Sequence, residues 1–460
     1  MKDNFMQSTH NTFRTLLRLA WPVMVEEALT TIVQYIDAAM VGRLGAFASA
    51  AVGLTSTVTW LVNAPLWALG TGVLAILSRE YGAGNLEQAR RASVQSIWLS
   101  VLFGLILTVL TLVISPVLPA WMGADPAIHA PASAYFSIIC LPLIARSLII
   151  VLGSTLRAVR DTKTPMRVSL LINLINIVLN ALLIFPARTL SLFGLVLPLP
   201  GMGLGVTGAA IATNLSYLVG GCLMLAALWR NPLTSPSGKS LRPDPGIIRQ
   251  CLRITLPAAL TRIISCLGHV VFSAQVTRLG TQALAAHSLA LTAEEGFYIP
   301  GYGLQAAVST LSGNAAGSRD MDALRRTCRA GLTLSIGIMC LTGFTLFLIP
   351  VPMMRLFTAD PGVIADGASV LRIVAFSEPF FGAAIILEGV FDGIGDTKTP
   401  LLYSLISMWA VRIALTQVCL SVFHLYLNAV WLCMVLGNIT YLLLLSLAYA
   451  RGRWRKFVTG

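Results

Sequence analysis

Stretches of about 20 mostly apolar residues, each long enough to cross the ~30 Å hydrocarbon core of a bilayer, recur from Leu16 to Ala450 with only short polar interruptions. Such a chain cannot cover itself with polar surface: 56% of its 460 residues are hydrophobic and only 11% are charged. A water-soluble globule is excluded. In hydrocarbon every backbone N–H and C=O must be satisfied within the chain, which leaves helices and closed barrels as spanning forms. A barrel would show segments of roughly ten residues with alternating polarity, and no such alternation occurs here. The expected fold class is all-α, a polytopic membrane protein with twelve transmembrane helices. The spans are predicted near 16–40, 49–77, 94–119, 131–153, 166–185, 202–229, 249–275, 284–312, 328–350, 364–390, 400–423 and 427–450.

The formal charge of +13 invites a nucleic-acid reading until its distribution is considered. The N-terminus, alternate loops and the C-terminal tail hold 24 of the 32 Lys and Arg, from Lys2, Arg14 and Arg18 to Arg451, Arg453, Arg455 and Lys456. The opposite loops hold only Arg43, Arg188, Arg278 and Arg355, and Arg146, Arg262, Arg372 and Arg412 fall inside spans. By the positive-inside rule both termini are expected in the cytoplasm, with the chain multi-pass in the cytoplasmic (inner) membrane. The basic balance then reports topology and attraction to the lipid surface, not nucleic acid. The polar first fifteen residues carry no cleavage site, so the first span is expected to act as its own insertion signal. The eight cysteines lack paired spacing and read as small packing residues.

The chain is a tandem repeat. Asp161-Thr-Lys-Thr-Pro165 returns as Asp396-Thr-Lys-Thr-Pro400, an offset of 396 − 161 = 235. At the same offset Leu17-Arg18 and Pro22 match Leu252-Arg253 and Pro257, Arg43-Leu44-Gly45 matches Arg278-Leu279-Gly280, Arg90-Arg91 matches Arg325-Arg326, and Ala124-Asp125-Pro126 matches Ala359-Asp360-Pro361. Six spans per half make these parallel repeats, related by an axis along the membrane normal. The expected domains are a six-helix bundle at 1–230, a Pro-, Ser- and Gly-rich cytoplasmic linker at 231–246, and a second bundle at 247–460.

Two-bundle repeats place solute and ion sites at or beside the bundle interface, and alternating access comes from rocking one bundle against the other. A secondary transporter is expected, and not an enzyme. The phosphate-cradling GxxxxGK[ST] pattern is missing, and Gly203-Leu-Gly205-Val-Thr-Gly208, although it fits GxGxxG, opens a membrane span with no strand before it. The five histidines lack metal-ligand spacing, and no cofactor is expected.

Eight of the 19 acidic residues lie within predicted spans: Glu26, Glu27, Asp37, Glu294, Glu295, Glu378, Glu388 and Asp392. A mid-bilayer carboxylate costs at least ~2.5 kcal/mol, so each should face a bundle interior or a water-filled cavity. Asp37 and Glu26 are about three turns apart on span 1 and point the same way. Asn173, Asn176 and Asn180 form one polar stripe on span 5. A carboxylate with amide oxygens suits a hard monovalent cation or a proton; interhelical hydrogen bonding alone is the competing reading. In the second half, Glu388 and Asp392 are one turn apart, with Glu378 on a broad arc of the same side, and Glu294, Glu295 and Tyr298 lie on span 8. These make a candidate second acidic site, against the alternative that they pair with Arg262, Arg372 or Arg412.

Asp37-Ala-Ala-Met-Val-Gly-Arg-Leu-Gly45, Gly82-Ala-Gly-Asn85, the duplicated Asp-Thr-Lys-Thr-Pro and two six-span halves together resemble the multidrug and toxic compound extrusion (MATE) family over nearly the whole length. The resemblance implies a V-shaped exporter of organic, often cationic or amphipathic, compounds, driven by inward H+ or Na+. It makes Asp37 the span-1 acid of a cation site in the first bundle, with Asn176 and Asn180 as span-5 partners and Thr213 as its hydroxyl member. One branch of the family usually has aspartate where this chain has Asn180, so the site here carries one charge fewer. Glu294, Glu295, Glu388 and Asp392 are similar in placement to second-bundle acids of other branches. The expected partners are a small organic solute and the lipid bilayer, with the chain a monomer. A lipid-linked-oligosaccharide flippase of the same superfamily is the alternative; it would need a more basic interior than eight acids against four arginines.

Overall fold

The computed structural model describes residues 2–192, 195–452 and 454–459; Arg453 lies outside them, as do the side chains of Lys2, His10 and Arg188. The first half runs through α1 (Lys2–Gly42), α2 (Ala46–Gly82), α3 (Leu86–Ile114), α4 (Leu118–Trp121), α5 (Pro126–Cys140), α6 (Leu143–Ala158), α7 (Lys163–Leu183) and α8 (Gly205–Arg230). The second runs through α9 (Pro245–Val276), α10 (Thr281–Gly317), α11 (Met321–Leu348), α12 (Pro350–Arg355), α13 (Pro361–Ala375) and α14 (Glu378–Ile394). It continues as α15 (Lys398–Leu405), a π-helical stretch Ile406–Ile413, α16 (Ala414–Ser421), α17 (Leu427–Ala450) and α18 (Arg455–Thr459).

Each predicted span falls on a helix. Among the described residues, 8 helices are long and apolar enough to cross a membrane, or up to 10 when α5–α6 and α13–α14 each count as one bent span. The remaining two of the twelve are α1 and α10, 41 and 37 residues long, whose adjacent pairs Glu26-Glu27 and Glu294-Glu295 interrupt the apolar run. The bends measure 46° and 54°. They fall at Pro142 and just before Pro379, where a missing N–H and the ring's clash with the preceding turn break the helical ladder.

The repeat is visible in three dimensions. α2 and α10 begin and end 235 residues apart, at 46 and 281 and at 82 and 317, as do α5 and α13. Pro22 and Pro65 lie inside α1 and α2 where Pro257 and Pro300 lie inside α9 and α10. The duplicated pentapeptide is a helix start: Asp161 accepts from Thr164 N at 3.1 Å and Thr164 Oγ1 at 2.8 Å, and Asp396 accepts from Thr399 Oγ1 at 2.8 Å. A side-chain acceptor of this kind satisfies N–H groups that the first turn leaves unpaired. The halves diverge after their fifth span. The first inserts an antiparallel hairpin, β1 (Pro186–Leu192) and β2 (Leu195–Met202), so that a strand does precede Gly203, contrary to the sequence expectation, where the second passes directly from Ser421 to Leu427.

The bundles join at the end that carries the basic loops. Leu16, Leu19 and Ala20 of α1 pack into one buried cluster with Leu304, Ala307 and Val308 of α10 and Val390 and Phe391 of α14. A Cβ on Gly82 would strike the Asn314 backbone, and one on Gly317 would strike the Arg79 carbonyl, so α2 and α10 touch there backbone to backbone. Residues 231–244 contain no regular helix or strand, yet they are strapped to α3. Trp98 Nε1 donates to Leu241 O at 2.6 Å, Gln95 Nε2 to Arg242 O at 3.2 Å and Arg90 Nε to Pro232 O at 3.1 Å.

Candidate functional site

Three helices of the first bundle bring Asp37, Asn180, Asn176 and Thr213 into one chain of hydrogen bonds. Asn180 Nδ2 donates to Asp37 Oδ1 at 2.6 Å and lies 3.1 Å from Asn176 Oδ1. Asn176 Nδ2 donates to Thr213 Oγ1 at 3.2 Å, and the threonine hydroxyl turns back to Ala209 O at 3.0 Å. Asn176 and Asn180 are buried, and Asn180 Oδ1 has no hydrogen-bond partner. A buried acceptor without a donor is costly, and it suits a hard cation or a proton arriving beside Asp37. Asn173, the third amide of the stripe, stays outside the chain, its Nδ2 also unpartnered.

Glu26 does not join this group. Its Oε1 lies 3.6 Å from Arg157 Nη2 of α6. The surroundings of Asp37 contain two side chains that the sequence did not single out: Tyr135 of α5 interacts electrostatically with Asp37 and with Tyr217, over whose ring Arg146 is held at 5.0 Å. The intraspan Arg146 was the one signal available in the sequence for this neighbourhood.

In the second bundle the acids fall into neighbouring groups linked by tyrosines, with Tyr298 beside Glu294, Glu295 and Glu378 and Tyr302 beside Glu295 and Glu388. Glu388 accepts from Tyr441 OH at 3.0 Å, and with Asp392 it faces Arg262 of α9. Glu378 lies elsewhere: it starts α14 at the bend, interacts with Glu294 and has both carboxylate oxygens buried without a hydrogen-bond partner. Glu378, Glu388 and Asp392 all lie on α14 after the bend, and the ten residues from Glu378 to Glu388 set them about 15 Å apart along the helix axis. Glu294 itself faces Arg412 of the π-helical stretch, whose Nη2 donates to Asn438 Oδ1 at 2.7 Å. Glu295, one residue on and so about 100° round the helix, turns the other way, toward Glu27 and Tyr35 of α1. Of the proposed arginine partners, Arg372 is exposed, while Arg262 and Arg412 each face acids without closing to the 4.0 Å of an ion pair among the described residues.

Glu27 of α1 is solvent-exposed and interacts with Glu26 and Arg157 of the first bundle and with Arg262 and Glu295 of the second. Tyr298, Tyr302 and Phe381 form an aromatic group beside it, with ring centroids 5.6 to 6.3 Å apart. Among the described residues no three His, Cys, Asp or Glu converge as metal ligands.

Two parallel helical repeats joined at one end, with carboxylates held inside their spans, define a multi-pass membrane transporter. The chain belongs to the MatE family, whose model matches residues 22–182 and, one repeat later, 257–418. It is similar to a probable multidrug resistance protein NorM of Thermotoga maritima, 28% identical over 96% of this chain and 93% of the relative. A protein of the same description from Bradyrhizobium diazoefficiens is 28% identical over 95% and 93%. Among solved structures, one described as the outward-facing conformation of a multidrug resistance MATE family transporter of the MOP superfamily superposes with a TM-score of 0.88. It has 22% identity and covers 98% of this chain and 97% of that one. A MATE in complex with MaL6 also gives 0.88, at 23% identity and 98% of each chain.

Proposed function

We propose that this protein exports organic compounds, cationic or amphipathic and drug-like, by antiport with H+ or Na+ across the cytoplasmic membrane. The observation that carries the reading is the Asp37–Asn180–Asn176–Thr213 chain: one carboxylate and oxygen-bearing neutral side chains, inside helices that otherwise bury apolar groups. Glu294, Glu295, Glu378, Glu388 and Asp392 supply further proton or cation sites in the second bundle. The acids and the Tyr298–Tyr302–Phe381 rings beside Glu27 suit an organic cation through charge and aromatic contact. Linkage supplies the mechanism: cation and solute favour different states of one carrier, so occupancy near Asp37 lowers solute affinity and promotes outward release. The basic loops support a reading with both termini in the cytoplasm, in which the bundles at 1–230 and 247–460 rock about the 231–246 segment and a monomer suffices.

The test uses purified protein in liposomes loaded with a fluorescent organic cation, with Na+ and H+ gradients imposed separately. Movement driven by one gradient identifies the ion. No response to either, together with passage of lipid-linked oligosaccharide in the same vesicles, would replace the reading with a flippase.

A further inference from the structure

Two non-glycine residues at the joined end hold left-handed backbone conformations, Arg160 at φ 68° and Arg319 at φ 56°. In each case the position 235 residues away is a glycine in the same conformation: Gly395 at φ 86° answers Arg160, and Gly84 at φ 76° answers Arg319. Glycine meets the left-handed requirement without steric cost, whereas a side chain there stores strain on the order of 1 kcal/mol. The repeat thus shows what the backbone alone would prefer at residue 160, and something else must hold the arginine there. Arg160 Nε donates to Asn314 Oδ1 at 2.7 Å, across the seam from the first bundle to the second. Asn314 Nδ2 in turn reaches Ser78 O at 3.0 Å and Ala158 O at 3.3 Å, both in the first bundle. The buried side-chain amide of a second-bundle residue therefore spends its oxygen and both N–H groups on the opposite bundle. These bonds sit where α2 and α10 touch backbone to backbone at Gly82 and Gly317. The Arg160 guanidinium also lies 6.0 Å from the Tyr81 ring centroid, within its own bundle. A cavity of about 380 Å³ lined by both bundles, Arg160 and Asn314 included, opens beside them. Water can therefore take over these bonds when the bundles part.

We infer that Arg160 and Asn314 form the latch that holds the basic ends of the two bundles together, and that it must release for the solute pathway to open on that side. The latch rests on the alternating-access reading above, but its test needs neither solute nor gradient. Spin labels on Gln88→Cys and Asp322→Cys, one per bundle at the joined end, report the separation by electron–electron resonance in full-length protein in lipid nanodiscs. The background replaces the exposed Cys222 and Cys340 with alanine. Arg160→Gly removes the donor and leaves the conformation that Gly395 already adopts in the other half. It should raise the ratio of long to short distances about tenfold, the weight of one charge-assisted hydrogen bond. Asn314→Ala removes that bond and the two to Ser78 O and Ala158 O, so it should raise the ratio further, and adding Arg160→Gly to it should change little, since their shared bond is already gone. A distance distribution in Arg160→Gly that superimposes on the parent overturns the latch. So does failure of Arg160→Gly to fold, which would assign the arginine to folding. A shifted distribution in a protein that answers to neither ion would leave the latch standing and remove the antiport reading.

Discussion

The carboxylate of Asp37 is held at 2.6 Å by an amide, and the amide's own oxygen is left without a partner. That imbalance is the chemistry the proposed antiport needs, because an arriving cation or proton completes the set. Asp37→Asn keeps the shape and an acceptor oxygen for Asn180 but removes the charge. Cation-driven flux in proteoliposomes should fall to background while membrane insertion and elution volume stay unchanged. Glu388 and Asp392 share Arg262 one turn apart, so Glu388→Gln with Asp392→Asn should displace the pH profile of transport. A profile unchanged in the double variant would make that pair structural. The acids were legible in the sequence as charges in apolar runs, and Asn176, Asn180 and Thr213 as the partners that the family resemblance implies for Asp37. Tyr135, Tyr441 and Glu27's neighbours were not legible, since each is defined by what lies across a helix interface.

At the level of elements, span positions followed from hydropathy, which is local, whereas the irregularities required packing. The π-helical stretch Ile406–Ile413 swings Arg412 into the bundle against Asn438, a deviation common where helices carry function. Nothing in Ile-Ser-Met-Trp-Ala-Val-Arg-Ile announces it. The segment after α8 gives the opposite lesson: its composition suggests a loose joint, but side chains of α3 bind its carbonyl groups. Trp98→Phe keeps an aromatic side chain and deletes the N–H to Leu241, a loss of about 1 kcal/mol. Amides of 231–244 should then exchange hydrogen severalfold faster by mass spectrometry, with exchange elsewhere unaltered.

For the whole molecule, the seam between bundles at the joined end is built from small residues because two helix backbones meet there. Gly82→Ala and Gly317→Ala each put a methyl group against backbone that cannot yield as a side chain could. Overpacking of this kind costs on the order of 1–3 kcal/mol. Both variants should bias the protein toward separation at that end, measured as increased labelling of a cysteine introduced at Ser78 by a membrane-impermeant maleimide. The sequence by itself determined the membrane class and the positions of the spans, because these follow from local hydropathy, and the two-fold repetition, because it is written in residues matched at one offset. It also exposed which residues carry charge inside the bilayer. The tertiary structure alone decided which of those residues meet. Glu294 meets Arg412 while Glu295 meets Glu27, because a helix turns successive side chains by about 100°, and Glu378 parts from Glu388 because ten residues of α14 separate them along its axis. Arg160 finds Asn314 only once two bundles, 154 residues apart in the chain at that contact, are brought end to end.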